Sequence, residues 1–262
     1  MIVRKGPDGS LVLINQSDHC LLSGRFAAHW GNSTFSRARP YESVVRAAAF
    51  HDCGWYRYQT RPAIDAQSGE PLTFMKVPLD EAQLADFQWG TDWLTGIDPY
   101  SGLLIGKHRT GLWRGRYGAI RYPVAFNSKD ANPVLQEFIS RNEARQEREL
   151  KSFDAKEFWT NYRLHQVWDL LSLYFCVDEI KPDYIEPVPL NYDGGENDGV
   201  RMTMTPSDSR TLKIDPYPFD APELHVQLLR KCLRRTAFSS REEFIQTYFQ
   251  AETELLSFRI HS

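Results

Sequence analysis

The chain has 262 residues, 42% of them hydrophobic and 25% charged, which is ordinary globular usage and enough length to bury a core in one large domain. No stretch approaches the roughly 20 apolar residues that a bilayer crossing needs, and the opening residues lack a charged-then-apolar signal pattern, so a cytoplasmic protein with no membrane partner is expected. A net charge of -3 argues against a nucleic-acid duplex as partner, and the four cysteines, Cys20, Cys53, Cys176 and Cys232, form no CxxC pair, which argues against a zinc ribbon or a dithiol redox motif.

The opening MIVRKGPDGSLVLIN places two short β-prone runs around Gly-Pro-Asp-Gly, a hairpin signal. From Ser17, SDHCLLSGRFAAHW puts His19, Leu22, Phe26 and Trp30 on one helical face. After a polar loop ending at Pro40, YESVVRAAAFHDCGW predicts a second helix that Gly54 ends, with Val44, Ala48, His51 and Asp52 facing inward. Residues 56–78 read as a loop that walls or covers a cleft. Helices are predicted over 81–94 and over 100–113, the latter carrying His108. In 133–153 the alternating charges of NEARQERELK fit a solvated helix surface. The next helix, 157–177, is apolar most of the way round and lines up Phe158, Tyr162, His165, Asp169, Ser172 and Cys176 on one stripe.

After Ile180 the composition shifts to Pro, Asp and Gly, which marks a boundary. Period-two alternation follows at Met202 and Met204, Leu212 and Ile214, Leu224 to Leu228, and Leu256 to Ile260, with a helix over 241–250. The expected organisation is a mainly helical core over 1–180, carrying the N-terminal hairpin, with a small antiparallel sheet from 181–262 packed on it. The hairpin has the composition to join that sheet.

His19, His51, Asp52 and Asp169 are the chemically notable residues, since inward imidazoles and carboxylates on separate helices need a partner and suit divalent cations such as iron, manganese, zinc or magnesium. The cluster Lys107, Arg109, Arg114, Arg116 and Arg121 points to a small anionic substrate, because guanidinium matches phosphate in a bidentate fork. Trp55 is a candidate pocket wall. His29 and His165 read as structural, although His165 sits one turn before Asp169.

The order His19, then His51-Asp52, then Asp169, each on its own helix, resembles the HD superfamily of metal-dependent phosphohydrolases. More closely, QSDH, AAFHDCGW, LLIGKH, WDLLSLYFC and IDPYPF resemble an uncharacterised bacterial branch of it, a domain of unknown function spanning essentially the whole chain. The resemblance implies an HD-like helical bundle and metal ligation by His19, His51, Asp52 and Asp169. It also implies that His108 serves a second ion, so that one or two ions are bound. The pattern departs in two places: no further histidine occurs between His108 and His165, and Cys53 stands where an acidic residue is expected. The expected activity is metal-assisted hydrolysis of a phosphate ester or nucleotide. In it Asp52 orients a water, His108 steadies departing charge, and Lys107, Arg109 and Trp55 contact the substrate. Two other readings fit the same residues. One is a non-enzymatic ligand-binding or scaffold protein with a structural metal, and the other a di-iron oxygenase, which the architecture also resembles. An aromatic content of 13% leaves room for a homodimer surface.

Overall fold

The computed structural model describes residues 1–114, 132–176, 180–195 and 198–262. In chain order the strands are β1 (Ile2–Lys5), β2 (Leu11–Ile14), β3 (Asp183–Val188), β4 (Val200–Pro206), β5 (Thr211–Asp215), β6 (Glu223–Leu233) and β7 (Thr253–His261). The helices are α1 (Gln16–His29), α2 (Tyr41–Phe50), α3 (Tyr56–Thr60), α4 (Glu81–Ile97), α5 (Pro99–Trp113), α6 (Pro133–Leu150), α7 (Ala155–Tyr174) and α8 (Arg241–Gln250).

All seven strands form one curled, half-barrel sheet in the order β1-β2-β6-β7-β5-β4-β3. This corrects the expectation of a mainly helical, HD-like bundle with a small antiparallel sheet: the fold is α+β with a large sheet, and β5 runs parallel to β7. The hairpin joins the sheet, as its composition allows, and one further strand is hidden in the sequence. The N-terminal hairpin, turned by Gly9 at φ 81° and by Asp8 accepting from the Ser10 amide, adds β2 directly to β6, with Leu11 opposite Leu233. Strand β3 lies inside the Pro- and Asp-rich stretch read as a boundary. It occupies a sheet edge, where Pro187 can stand without removing an interior ladder bond.

The alternating residues behave as the period-two pattern requires. Met202, Met204, Leu212, Ile214, Leu224, Val226, Leu228, Leu256, Phe258 and Ile260 are all buried on the sheet's inner side. They share one apolar core with Phe26 and Trp30 from the α1 region and with Trp168 and Phe175 from the α7 region. At roughly 1.5–3 kcal/mol for each fully buried large side chain, this shared core holds the residues before and after 180 firmly against each other.

Side-chain caps fix where five of the helices start. Asp80 accepts from the Gln83 amide, Asp98 from Tyr100, Asn132 from Leu135, Asp154 from Glu157 and Ser240 from Glu243. Helices α5 and α7 are buried nearly all the way round, so polar groups on them are committed to the interior. Helix α2 stops at Phe50, earlier than Gly54. His51 is its C-terminal cap residue and Asp52 leaves helical geometry at φ -108°, ψ 23°. The chain then turns through a short 3-10 segment, Cys53–Trp55, into α3, a helix inside the stretch expected to be a loop. A close approach sets this turn: a Cβ on Gly90 of α4 would stand 2.5 Å from the Gly54 nitrogen. No helix among the described residues is long and apolar enough to cross a membrane.

Candidate metal centre

Four helical segments deliver ionisable side chains to one buried place. His19 and Cys20 come from α1, His51 and Asp52 from the end of α2, His108 from α5, and His165 and Asp169 from α7. None of the seven is more than 6% exposed. The closest imidazole–carboxylate approaches are 3.1 Å between His51 Nε2 and Asp169 Oδ1, 3.5 Å between His19 Nε2 and Asp52 Oδ2, 3.7 Å between His19 Nδ1 and Asp169 Oδ1, and 3.9 Å between His108 Nε2 and Asp52 Oδ1. The sulfur of Cys20 lies 3.7 Å from His51 Nε2 and 3.9 Å from His19 Nε2. The ligand atoms of His19, Cys20, His51 and Asp52 all fall within 4.8 Å of one another, as do those of His51, His108 and Asp169.

Neighbouring groups orient the two imidazoles. His51 Nδ1 donates to the Ala48 carbonyl at 2.8 Å, one turn back on its own helix, which turns the Nε2 lone pair inward. Ser172 gives its hydroxyl proton to the Asp169 carbonyl at 2.7 Å, so its oxygen accepts from His19 Nδ1 at 3.0 Å and the inward atom of His19 is again Nε2. Asp52 is held from both sides. Gln16 donates to Oδ2 at 2.9 Å, and the Arg109 guanidinium pairs with Oδ1 while stacking 4.3 Å above the Phe87 ring.

The charge states follow from these contacts. Burial would raise the Asp52 carboxyl, but Arg109, His19 and His51 overcome it and hold the group well below the usual carboxylate range. Burial opposes charge on His19 and His51 too. Cys20 and the carboxylates prevail, taking His19 up to about 9 and His51 well above its ordinary value. Burial likewise raises the Cys20 thiol, and the two imidazoles more than offset it, lowering the group. His108 and His165 go the other way: burial first, then neighbouring imidazoles, hold both well below the usual histidine value, so they are neutral. In the metal-free cluster, protons on His19 and His51 therefore supply positive charge opposite Asp52 and Cys20. A divalent cation can take that role.

The donor set fits such an ion on two grounds. Imidazole nitrogen, carboxylate oxygen and thiolate sulfur together are the chemistry of zinc, iron(II), cobalt or manganese sites. In addition, His165 is 0% exposed and both of its ring nitrogens lack a hydrogen-bond partner, a costly arrangement that fits an interior built to hold a ligand. Its ring centre is 5.1 Å from that of His108 and 5.3 Å from that of His51.

The structure brings together His19, His51, Asp52, His108 and Asp169, the five residues that the resemblance implied. It adds Cys20, Gln16 and His165, which the sequence reading left out or took as structural. Gln16 shares a helical turn with His19 in QSDH, and His165 one with Asp169, so i, i+3 and i, i+4 spacing was the available signal. The predicted substrate-contacting residues have mixed placements. Arg109 reaches the cluster through Asp52. Lys107, 5% exposed, lies with its Nζ 5.6 Å over the Trp159 ring, and Trp55 is enclosed by Tyr58, Phe74 and Phe87. Arg114 pairs with Glu143 at 2.7 Å, while Arg116 and Arg121 lie outside the described residues. Cys53, at the expected acidic position, donates to the Gly90 carbonyl at 3.3 Å. Burial, as the largest cause, pushes its thiol up to about 12, so it packs the α4 contact rather than ligating.

No curated protein and no solved structure matches the chain. A family model, described as a protein of unknown function (DUF3891), matches residues 1–235, a span that contains every residue of the cluster. The chain belongs to that family.

Proposed function

We propose that the cluster binds a divalent transition metal and that the protein is a metal-dependent phosphohydrolase acting on a small phosphate ester. One observation carries the reading: His19, His51, Asp52 and Asp169 converge from three helices with the Nε2 atoms of both histidines turned toward the carboxylates. A bound divalent ion supplies a water of lowered pKa and a Lewis acid for a phosphoryl oxygen. The chain's own groups do the rest. Asp52, fixed by Gln16, holds one oxygen toward His19 and the other toward Arg109 and His108, the position of a group that orients an attacking water. Arg109 offers planar, bidentate donors to phosphate oxygens once Asp52 is shared with a cation. Neutral His108 and His165 keep a nitrogen able to donate to developing negative charge without the cost of a buried imidazolium.

The test is hydrolysis of a panel of phosphate mono- and diesters by protein loaded with zinc, iron(II), cobalt(II) or manganese(II), beside Asp52→Asn. The reading requires metal-dependent turnover that falls at least 100-fold in the variant. Metal-loaded protein inert on the whole panel would overturn it.

A second reading is favoured by the depth of the site, since His19, His165 and Asp169 are at most 4% exposed: a closed, structural metal in a non-enzymatic protein. Inorganic phosphate separates the two. It perturbs the cobalt(II) spectrum of an open site and leaves a closed one unchanged.

A further inference from the structure

The four cysteines differ in what their sulfurs face. Cys53 donates to the Gly90 carbonyl, Cys176 to the Ser172 carbonyl at 3.4 Å, and Cys232 lies 3.6 Å from a Glu254 carboxylate oxygen. Cys20, 0% exposed, instead has its sulfur against the inward nitrogens of two histidines and within 4.8 Å of an Asp52 oxygen.

The spacing of these atoms is that of a coordination shell. With metal–nitrogen bonds of about 2.1 Å and a metal–sulfur bond of about 2.3 Å, tetrahedral geometry sets sulfur and nitrogen about 3.6 Å apart, and nitrogen and oxygen about 3.4 Å apart. The protein places Cys20 Sγ at 3.7 and 3.9 Å from the two Nε2 atoms, and His19 Nε2 at 3.5 Å from Asp52 Oδ2. These contacts link four donor atoms of one shell: His19 Nε2, Cys20 Sγ, His51 Nε2 and Asp52 Oδ2. Asp169 then stands on the side of the site shared with His51 and His108. The unpartnered nitrogens of His165, fully buried beside His51, are a second sign that this interior is built around a ligand.

We infer that Cys20 is a thiolate ligand of the metal, so that the centre is built from two histidines, one cysteine and one aspartate and is selective for zinc, iron(II) or cobalt over magnesium. This rests on the reading of the cluster as a metal centre, and the water that hydrolysis requires would enter as a fifth ligand beside the four protein donors. On binding, the thiol proton and any proton on either Nε2 leave to solvent, and the ion takes the four lone pairs. Softness of the sulfur sets the selectivity, because hard magnesium prefers an all-oxygen shell.

X-ray absorption at the zinc edge of the loaded full-length protein tests this. Wild type is expected to show one sulfur scatterer at about 2.3 Å, lost in Cys20→Ser, with zinc affinity at least tenfold weaker in the variant and cobalt(II) losing its sulfur charge-transfer absorption. Cys53→Ser is expected to retain all three signals. A metal-loaded wild type with only nitrogen and oxygen neighbours overturns the assignment of Cys20 and leaves the metal centre standing, and this holds even where Cys20→Ser fails to fold. A wild type that binds no ion overturns the metal centre itself.

Discussion

The Arg109 guanidinium from α5 pairs with the Asp52 carboxylate from the end of α2, and both side chains are about nine-tenths buried. Each neutralises the other in an interior where a lone charge is expensive. Removing one partner from a buried pair typically costs about 3–5 kcal/mol, because the other charge is left uncompensated. Arg109→Met should therefore destabilise the metal-free protein by that order in urea unfolding, and Asp52→Asn combined with Arg109→Met by clearly less than the sum of the single changes. Additive effects would show that the pair is not coupled.

Proton and metal compete for the same nitrogens, which fixes a sign. His19, raised from 6.5 to about 9 in the folded protein, contributes stability that is fully present below pH 6.5 and is lost as pH rises through about 9. Metal affinity runs the opposite way, rising over that window as the proton leaves. The melting-temperature difference between metal-loaded and metal-free protein should accordingly widen from pH 6.5 to 9. A difference that stays flat or narrows contradicts the assignment of His19.

His165 is a buried imidazole without hydrogen bonds, so the metal-free protein carries the desolvation cost of its polar atoms, typically about 1–3 kcal/mol. His165→Leu is expected to raise the metal-free melting temperature while lowering metal affinity or turnover. Its depressed pKa adds a second sign: the stability it withholds grows as pH falls below the ordinary histidine value, so the gain from His165→Leu should be larger at pH 5.5 than at pH 8. A variant less stable than wild type at both pH values would mark His165 as a packing residue.

The turn that presents His51 and Asp52 depends on Gly90. A methyl group there meets the Gly54 backbone, which cannot swing aside as a long side chain can. Gly90→Ala should cost at least about 1–3 kcal/mol of stability and weaken metal binding by displacing the two ligands. Unchanged metal affinity would show that the turn is held by other contacts.

Much of the site was legible because it obeys helical periodicity. His19 with Leu22 and Phe26, and Asp169 with Ser172, lie on faces that the sequence spacing picks out, and those faces are buried. Cys20 was not legible. It is adjacent to His19 and so projects about 100° round the helix, and only the nearness of α2 brings its sulfur to His51. Arg109 read as a substrate-contacting cation, and its pairing with Asp52 left no local signal because nothing nearby in the sequence reveals that α5 is enclosed on all sides. The sheet was underestimated for a related reason. Period-two alternation marks individual strands and left the hairpin open to joining them, whereas β3 lies in a Pro- and Asp-rich stretch without that pattern, and the register of Leu11 with Leu233 leaves no local trace.

Elemental analysis of the purified protein tests the central claim most directly, comparing wild type with His51→Ala plus Asp52→Ala after loading with zinc, iron(II) or manganese(II). The account predicts one or two tightly held ions per chain in wild type and none in the variant. Wild-type protein that is folded, loaded and still free of stoichiometric metal would contradict it.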